Sequence, residues 1–108
     1  MSGPGGIVLA AFTRAGALLA ARLAGSLSGR AFVPERCLVS GTEPLEGTAG
    51  EWAERWFPRA EALVFVCACG IAVRAVASHV RSKAEDPAVL VLDERGQYVI
   101  PLLSGHIG

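Results

Sequence analysis

Aromatic residues, cysteine and net charge are all scarce in this chain of 108 residues, and each scarcity excludes a class of protein. Aromatic residues make up 6% of the chain, which leaves little surface on which the bases of single-stranded nucleic acid could stack. Ten basic and ten acidic side chains cancel, so the basic footprint of a dedicated DNA or RNA binder is absent. The three cysteines are too few and too irregularly spaced for the disulfide framework of a small secreted protein.

Long apolar segments are also missing, apart from one stretch near the N-terminus. That stretch has no basic residue ahead of its apolar run, and Arg14 interrupts the run, so it does not fit a signal peptide. No uninterrupted run reaches the length that a membrane span needs. We therefore expect a cytoplasmic protein that binds neither membranes nor nucleic acid.

The residues that are abundant predict a folded domain with a core of small aliphatic side chains. Hydrophobic residues make up 52% of the chain and charged residues 19%, a balance that excludes a disordered protein. A chain of this length fills one domain, and with so few aromatic residues its core must consist mainly of alanine, valine and leucine. Such a core suits helices that pack closely on a sheet.

Apolar runs and helix caps alternate along the chain and end in a β-hairpin. The alternation predicts an α/β fold of three layers, with a largely parallel sheet, helices on both faces and the hairpin near the C-terminus. Thr13 and a capping box at residues 48–51 each mark the start of a helix. The predicted strands are 7–12, 31–39, 62–68, 87–93 and 97–103, and the predicted helices are 14–24, 49–57 and 71–80.

Two elements carry more specific expectations. Proline cannot donate to a strand ladder, so we expect strand 31–39 to lie at an edge of the sheet or to begin after Pro34. In the first helix, Leu18, Leu19 and Leu23 share one side, and the arginines of that helix point away from it. The two tryptophans of the second helix are four residues apart and are expected to be core or interface anchors.

The ligands of open parallel sheets bind beyond the carboxyl ends of the strands. Four segments of this sequence are predicted to converge there, namely residues 13–14, 69–71, 81–86 and 104–108. We therefore expect the functional side chains to come from these four segments.

A cationic segment follows Gly70 and predicts a site for an anion. Gly70 stands between a strand and a helix N-terminus, where free amides and the helix dipole favour negative charge. Arg74 lies one turn into that helix, and Arg81 and Lys83 follow, with no acid anywhere in residues 62–84. The combination suits a substrate with carboxylates or phosphates, although a tight turn beside a solvated basic loop has the same composition. Neither of the glycine-rich nucleotide motifs occurs at a predicted turn.

His106 is the candidate acid or base of the sequence. It lies two residues past Ser104, and histidine titrates near neutrality. The flanking glycines, Gly105 and Gly108, allow a ligand to approach the backbone closely. The alternative is an exposed histidine without a role. His79 ends an apolar helix, and we expect it to be a packing residue.

Cys67 and Cys69 lie at the end of a buried strand and, two residues apart on an extended chain, point to the same side. A nucleophilic thiol needs a base or a cation beside it, which Arg74 or His106 could supply. Free cysteine is more often a small buried hydrophobic residue, and we interpret both cysteines in this way. No spacing of cysteine and histidine fits a four-ligand zinc site, so no metal site is expected.

Four runs in the second half of the chain resemble the N-terminal region of a known enzyme family. The runs are Cys69-Gly-Ile-Ala-Val-Arg74, Lys83-x-x-Asp86-Pro-Ala-Val, Asp93-Glu-x-Gly96 and Val99-Ile-Pro-Leu-Leu-Ser-Gly-His106-Ile-Gly108. Together they resemble the CbiG family of anaerobic cobalamin biosynthesis, the cobalt-precorrin-5A hydrolases. The match is densest over residues 61–108 and looser over 1–60. Departures from the family pattern occur at Cys67, Cys69 and Ser78.

The resemblance implies a reaction. The family opens the δ-lactone on the ring A acetate side chain of cobalt-precorrin-5A and releases acetaldehyde, giving cobalt-precorrin-5B. The substrate brings its own cobalt, so the resemblance implies no protein-bound metal or other cofactor. Carried over by position, His106 becomes the acid/base, and Arg74 and Lys83 bind carboxylates of the substrate. With Arg81 added from the basic segment, the implied substrate-binding set is Gly70, Arg74, Arg81, Lys83, Asp86, Ser104 and Gly105.

The resemblance also implies a larger protein, because members of the family continue past these motifs. Residues 1–108 are therefore expected to form a single α/β N-terminal domain of a longer enzyme. Its own C-terminal domain or a second copy would be its protein partner. The alternative reading is a noncatalytic α/β module that binds a small anionic molecule or a partner protein.

Overall fold

The computed structural model describes residues 6–82 and 85–104, which form the predicted α/β fold of three layers. The strands are β1 (Ile7–Ala11), β2 (Arg30–Val33), β3 (Thr42–Pro44), β4 (Ala62–Val66), β5 (Ala88–Leu92) and β6 (Val99–Ser104). The helices are α1 (Arg14–Leu27), α2 (Ala49–Trp56) and α3 (Cys69–Val76), with short 3-10 turns at Glu35–Cys37 and Ala77–His79. No helix in this part of the chain is both long enough and apolar enough to cross a membrane.

The six strands form one sheet in the order β3-β2-β1-β4-β5-β6. Neighbouring strands are parallel from β3 to β5, and β6 pairs antiparallel to β5, as the predicted hairpin requires. Helix α1 covers one face of the sheet, and α2 and α3 cover the other. The predicted fold class is confirmed.

Helix α1 packs on the sheet through its smallest residues. The hydroxyl of Thr13 caps the helix as predicted, accepting a hydrogen bond from the Gly16 amide at 3.0 Å. The buried residues of the helix are Gly16, Ala17, Ala20 and Ala24. They contact the side chains of β1, β2 and β4 that point to this face.

The leucine side of α1 is not the side that packs most tightly. Leu18 is 51% exposed, and Leu19 and Leu23 are only partly buried. The reason is the short distance between the helix and the sheet, since a Cβ added to Gly16 would lie 3.1 Å from the carbonyl oxygen of Val66. Only small side chains fit between surfaces this close, so the alanines take the buried positions.

The opposite face of the sheet holds the aromatic core. The predicted capping box starts α2, and both of its tryptophans are buried, which confirms them as core residues. The ring of Trp52 meets Phe65 edge to face at 5.4 Å, and the ring of Trp56 lies 5.5 Å from Phe32. Neither indole N–H has a hydrogen-bond partner among the described residues, so these rings stabilise the fold through apolar contact.

The second strand differs from its prediction. Strand β2 ends at Val33, directly before Pro34, and lies inside the sheet between β1 and β3. The expectation of an edge strand or a later start was wrong because the proline lies outside the ladder, where it leads into a 3-10 turn. The edge position belongs to β3, a strand of three residues that the sequence did not indicate.

An ion pair joins β2 to β3 at that edge. The Arg30 guanidinium donates two hydrogen bonds, of 2.7 and 2.8 Å, to the Glu43 carboxylate. The same guanidinium lies 5.1 Å from the centre of the Phe32 ring. Because both charged groups are about half exposed, we expect the pair to contribute modestly to stability.

Candidate functional site

The strand directions divide the candidate residues between two edges of the sheet. The carboxyl edge, where the parallel strands end, carries Thr13 after β1 and Gly70 at the start of α3. The amino edge, where β4 and β5 begin, carries the loop of residues 81–86, because that loop leads into β5. Strand β6 runs back toward the amino edge, where Ser104 pairs with Ala88.

The prediction that four segments converge on the carboxyl edge was wrong for the described residues of two of them. Residues 13–14 and 69–71 lie at that edge, whereas residues 81–82, 85–86 and Ser104 lie at the amino edge. Residues 83–84 and 105–108 of these segments lie outside the described part of the chain. A strand of five residues separates the edges by roughly 16 Å. The loop that follows a helix must return to the amino end of the next parallel strand, and the hairpin reverses the direction of β6.

Thr13 and Glu94 form a hydrogen-bonded pair at the carboxyl edge. The Thr13 hydroxyl, which accepts from the Gly16 amide, donates its own proton to the Glu94 carboxylate. Glu94 comes from the turn between β5 and β6, so the bond joins that turn to the N-terminus of α1. The helix dipole favours a negative charge at this position. Both side chains are exposed to solvent.

The start of α3 provides open space beside this pair. No side chain caps the first turn of α3, and a Cβ added to Gly70 would meet nothing within 4 Å. Burial, together with the neighbouring Cys69, raises the pKa of the Cys67 thiol to about 11. A thiol with such a pKa is protonated at neutral pH, which agrees with the interpretation of Cys67 as a small apolar residue.

Arg36 brings a cation to the carboxyl edge that sequence reasoning missed. Its guanidinium donates to the carbonyl oxygen of Phe12 at 3.3 Å, directly beyond the end of β1. The residue was missed because it was assigned to a strand, whereas it lies in a 3-10 turn. Arg74, which was predicted, lies on the exposed side of α3.

Glu94 was missed because the turn at residues 93–96 was interpreted only as the link of a hairpin. The sequence did contain a signal that could have found it. A link that follows a parallel strand must lie at the carboxyl edge, among the candidate ligand-binding groups.

Asp86 is the buried polar residue of the amino edge. It is 4% exposed, and its carboxylate oxygens accept hydrogen bonds of 2.9 and 3.2 Å from the backbone amide of Arg81. This contact closes the loop of residues 81–86 and leaves the Arg81 guanidinium exposed. The geometry therefore gives Asp86 a structural role.

A cavity of about 440 Å³ lies beside Asp86. Its lining residues are Glu54, Phe57, Pro58, Ser78, His79, Arg81, Glu85 and Asp86. The His79 ring is half-buried and lies 5.8 Å from the Phe57 ring, which agrees with its predicted packing role. Three carboxylates line the cavity against one guanidinium and one imidazole, so its charge does not favour a substrate with many carboxylates.

Several predicted site residues lie outside the described part of the chain. These are Lys83, Gly105 and His106, and the side chain of Ser104 is likewise not described. Their roles stay predictions. Within residues 6–82 and 85–104, no three histidine, cysteine, aspartate or glutamate side chains are grouped so that they could hold a metal ion.

Comparison with known proteins gives consistent matches. The model of the family described as "Cobalamin synthesis G N-terminal" matches residues 51–108. A protein named cobalt-precorrin-5A hydrolase from Salmonella typhimurium is 46% identical over 105 residues, which are 97% of this chain and 30% of that protein. Another of that name, from Priestia megaterium, is 42% identical over 52 residues, which are 48% of this chain and 14% of that protein.

A solved structure shares the fold. It is that of a protein described as a cobalamin biosynthesis protein G homologue from Sulfolobus solfataricus. The two superimpose with a TM-score of 0.68 at 26% identity, over 98% of this chain and 31% of that one. This chain therefore spans about 30% of the length of the relatives that it matches over nearly all its residues.

Proposed function

This chain belongs to the cobalamin synthesis G N-terminal family, and from this we propose that it forms part of a cobalt-precorrin-5A hydrolase of cobalamin biosynthesis. The observation that carries the proposal is the 46% identity to the Salmonella enzyme over 105 residues. That match extends over both edges of the sheet. Because the chain spans 30% of that relative, the complete activity is proposed for a protein of the relatives' length.

The proposed reaction opens the ring A δ-lactone of cobalt-precorrin-5A and releases acetaldehyde to give cobalt-precorrin-5B. Water adds to the lactone carbonyl, and a retro-aldol cleavage then frees the two-carbon unit. Both steps move protons to and from oxygen, so the protein must supply a group that titrates usefully near neutral pH. His106, which the family motif implies, is the proposed acid/base. The cobalt belongs to the substrate, and no cofactor of the protein is proposed.

The proposed binding groups suit a macrocycle that carries acetate and propionate side chains at separate points of its rim. At the carboxyl edge, the proposed contacts to substrate carboxylates come from Gly70 at the start of α3 and from the exposed Arg74. Arg81 at the amino edge and Lys83, two positions along the chain, supply further cations. Charge-assisted hydrogen bonds from such groups to carboxylates are the strong contacts of a site of this kind. The remaining members of the proposed set are Ser104 and Gly105, whereas Asp86, buried and bonded to the Arg81 amide, supports the set by holding its loop.

The test is an acetaldehyde assay with cobalt-precorrin-5A under anaerobic conditions. The 108-residue chain and the protein at its full encoded length are assayed separately. Release by both supports a complete site within this chain, and release by the longer protein alone supports a partial site. If neither releases acetaldehyde, the proposed activity is wrong, and an anion-binding or docking module becomes the better interpretation.

His106→Ala is the sharpest variant for the proposed acid/base. We expect the substrate to bind as before while acetaldehyde release is lost, because the substitution removes the titrating group and leaves the proposed cationic contacts. Turnover at the wild-type rate would contradict the assignment. Loss of binding together with turnover would make His106 a binding residue.

A further inference from the structure

Glu94 is a carboxylate held at the edge of the sheet where ligands of parallel sheets bind, and the family motif gives it no role. We propose that Glu94 accepts the proton of the attacking water when the lactone opens, and that Thr13 positions it. This inference rests on the proposed function. It assigns one step of that reaction to a named side chain.

The hydrogen bonds around Thr13 determine how the carboxylate is oriented. A threonine hydroxyl has one proton and two lone pairs. Because its oxygen accepts the Gly16 amide at 3.0 Å, its proton is free to point outward, and it is donated to Oε2 of Glu94. The other oxygen, Oε1, has no hydrogen-bond partner among the described residues, so it can take a proton from a bound water.

Both supports of Glu94 are rigid. A Cβ on Gly16 would lie 3.1 Å from both the Val66 carbonyl oxygen and the Thr13 hydroxyl, so the start of α1 is pressed against the end of β4. On the other side, the Asp93 carboxylate accepts the Tyr98 amide at 2.7 Å and closes the turn that carries Glu94. A base held from two sides loses little entropy when it reaches the reactive geometry.

The surroundings of Glu94 are open on the side of α3. The Cys67 amide donates to the Leu92 carbonyl at 3.1 Å, so the turn that carries Glu94 follows a strand end that lies beside the start of α3. The uncapped first turn and the open space at Gly70 lie there. His106 lies outside the described residues, so Glu94 and His106 are tested as separate candidates for the lactone-opening step.

The proposed step balances with water as its sole co-reactant. The water oxygen bonds to the lactone carbonyl carbon, and the proton that it loses goes to Oε1 of Glu94. The tetrahedral intermediate then breaks its bond to the ring oxygen, and that oxygen takes the proton from Glu94. The products are the free acetate side chain and a hydroxyl group, and the Glu94 carboxylate is restored.

Glu94→Gln tests the step in the protein at its full encoded length. The glutamine keeps an amide oxygen that can accept the hydrogen bond from Thr13, but it has no carboxylate oxygen that could take a proton from water. Mass spectrometry detects the ring-opened product by its gain of one water, and acetaldehyde is assayed separately. We expect kcat for ring opening to fall about a hundredfold or more while KM stays within about threefold. We expect kcat/KM of the wild type to decline at acid pH and that of Glu94→Gln to show no such decline.

Three comparisons separate catalysis from structure. Thr13→Ser keeps the hydroxyl and should stay close to wild type, whereas Thr13→Val removes it and should lower kcat about tenfold. Glu46→Gln, at another exposed glutamate, should change nothing. Added formate should restore ring opening to Glu94→Ala, because it replaces the lost carboxylate even where the substitution loosens the turn.

The outcomes of this inference and of the proposed function can be told apart. If the wild type gives neither ring opening nor acetaldehyde, the proposed function fails. If the wild type is active and Glu94→Gln keeps both its rate and its pH profile, the role of Glu94 is overturned and the function stands. Ring opening that is lost in His106→Ala and retained in Glu94→Gln would assign the proton to His106. Failure of formate to rescue Glu94→Ala would likewise overturn the assignment.

Discussion

The carboxyl and amino edges of the sheet are organised by different kinds of contact. At the carboxyl edge, Thr13 bonds to Glu94 across 81 positions of sequence, and Arg36 reaches back to the carbonyl of Phe12. At the amino edge, Asp86 holds the amide of Arg81, five positions before it. Side chains at the carboxyl edge are thus positioned by the packing of whole elements, and those at the amino edge by one loop.

The two edges also differ in charge. The carboxyl edge combines the start of α3, which no side chain caps, and the Arg36 guanidinium with the Glu94 carboxylate. The cavity at the amino edge has three carboxylates and a single guanidinium among its lining residues. A substrate rich in carboxylates is therefore expected to make its stronger contacts at the carboxyl edge.

The largest effect on stability is expected from Gly16→Val at the carboxyl edge. The added side chain must displace α1 from the end of β4, where the Val66 carbonyl leaves no room, and we expect unfolding to become easier by about 3 kcal/mol. Urea denaturation measures the change. The control is Gly25→Ala in the same helix, where nothing lies within 4 Å and a gain of about 0.5–1 kcal/mol is expected. Equal effects of the two substitutions would show that the contact at Gly16 is unimportant.

A smaller effect is expected when cations are removed from each edge in turn. Arg36→Ala should weaken binding of cobalt-precorrin-5A about tenfold, which corresponds to about 1.4 kcal/mol. Arg81→Ala should weaken it less, because three carboxylates line the same cavity as Arg81 and disfavour an anionic substrate there. Titration of each variant with substrate gives the two constants. The reverse order would place the main carboxylate contacts at the amino edge.

The smallest effect concerns the turn that carries Glu94. The amide of Tyr98 holds the pKa of the Asp93 carboxyl below its usual range, with further help from the Arg95 amide. A lowered pKa in the folded state adds stability above the unfolded pKa, about 4, and that stability is lost as the pH falls through the folded pKa. Wild-type stability should therefore decline in acid slightly more than that of Asp93→Asn. Urea denaturation gives the free energy of unfolding of both proteins between pH 6 and about pH 3. An equal decline in the two proteins would contradict this account.

Local signals predicted the elements of the fold well. Thr13 and the capping box at residues 48–51 start helices where they were expected, because a cap depends on residues within one turn. The apolar runs at β1, β4 and β5 became parallel strands, and the turn at residues 93–96 became a hairpin link. These features depend on neighbours along the chain, which a sequence displays directly.

Other features depend on the distance between elements, which the sequence analysis did not reach. The three leucines that share one side of α1 are not its most buried residues, because close approach to the sheet at Gly16 admits only small residues. Pro34 did not place β2 at an edge, because three residues of a turn-rich segment form β3. That strand pairs with β2 and takes the edge position. The local sequence pattern shows neither the distance between a helix and the sheet nor the strand with which another strand pairs.

The sequence by itself determined the order of the three helices and of every strand except β3, together with the caps, the composition of the core and the resemblance to a family. Each of these follows from residue types and short spacings. The tertiary structure alone decided which edge of the sheet each candidate occupies. It placed Gly70 at one edge and Asp86, Arg81 and Ser104 at the other, since strand direction follows from the pairing of distant strands. The contact between Thr13 and Glu94 exists for the same reason, because only the folded sheet brings the ends of β1 and β5, with β4 between them, to the same edge.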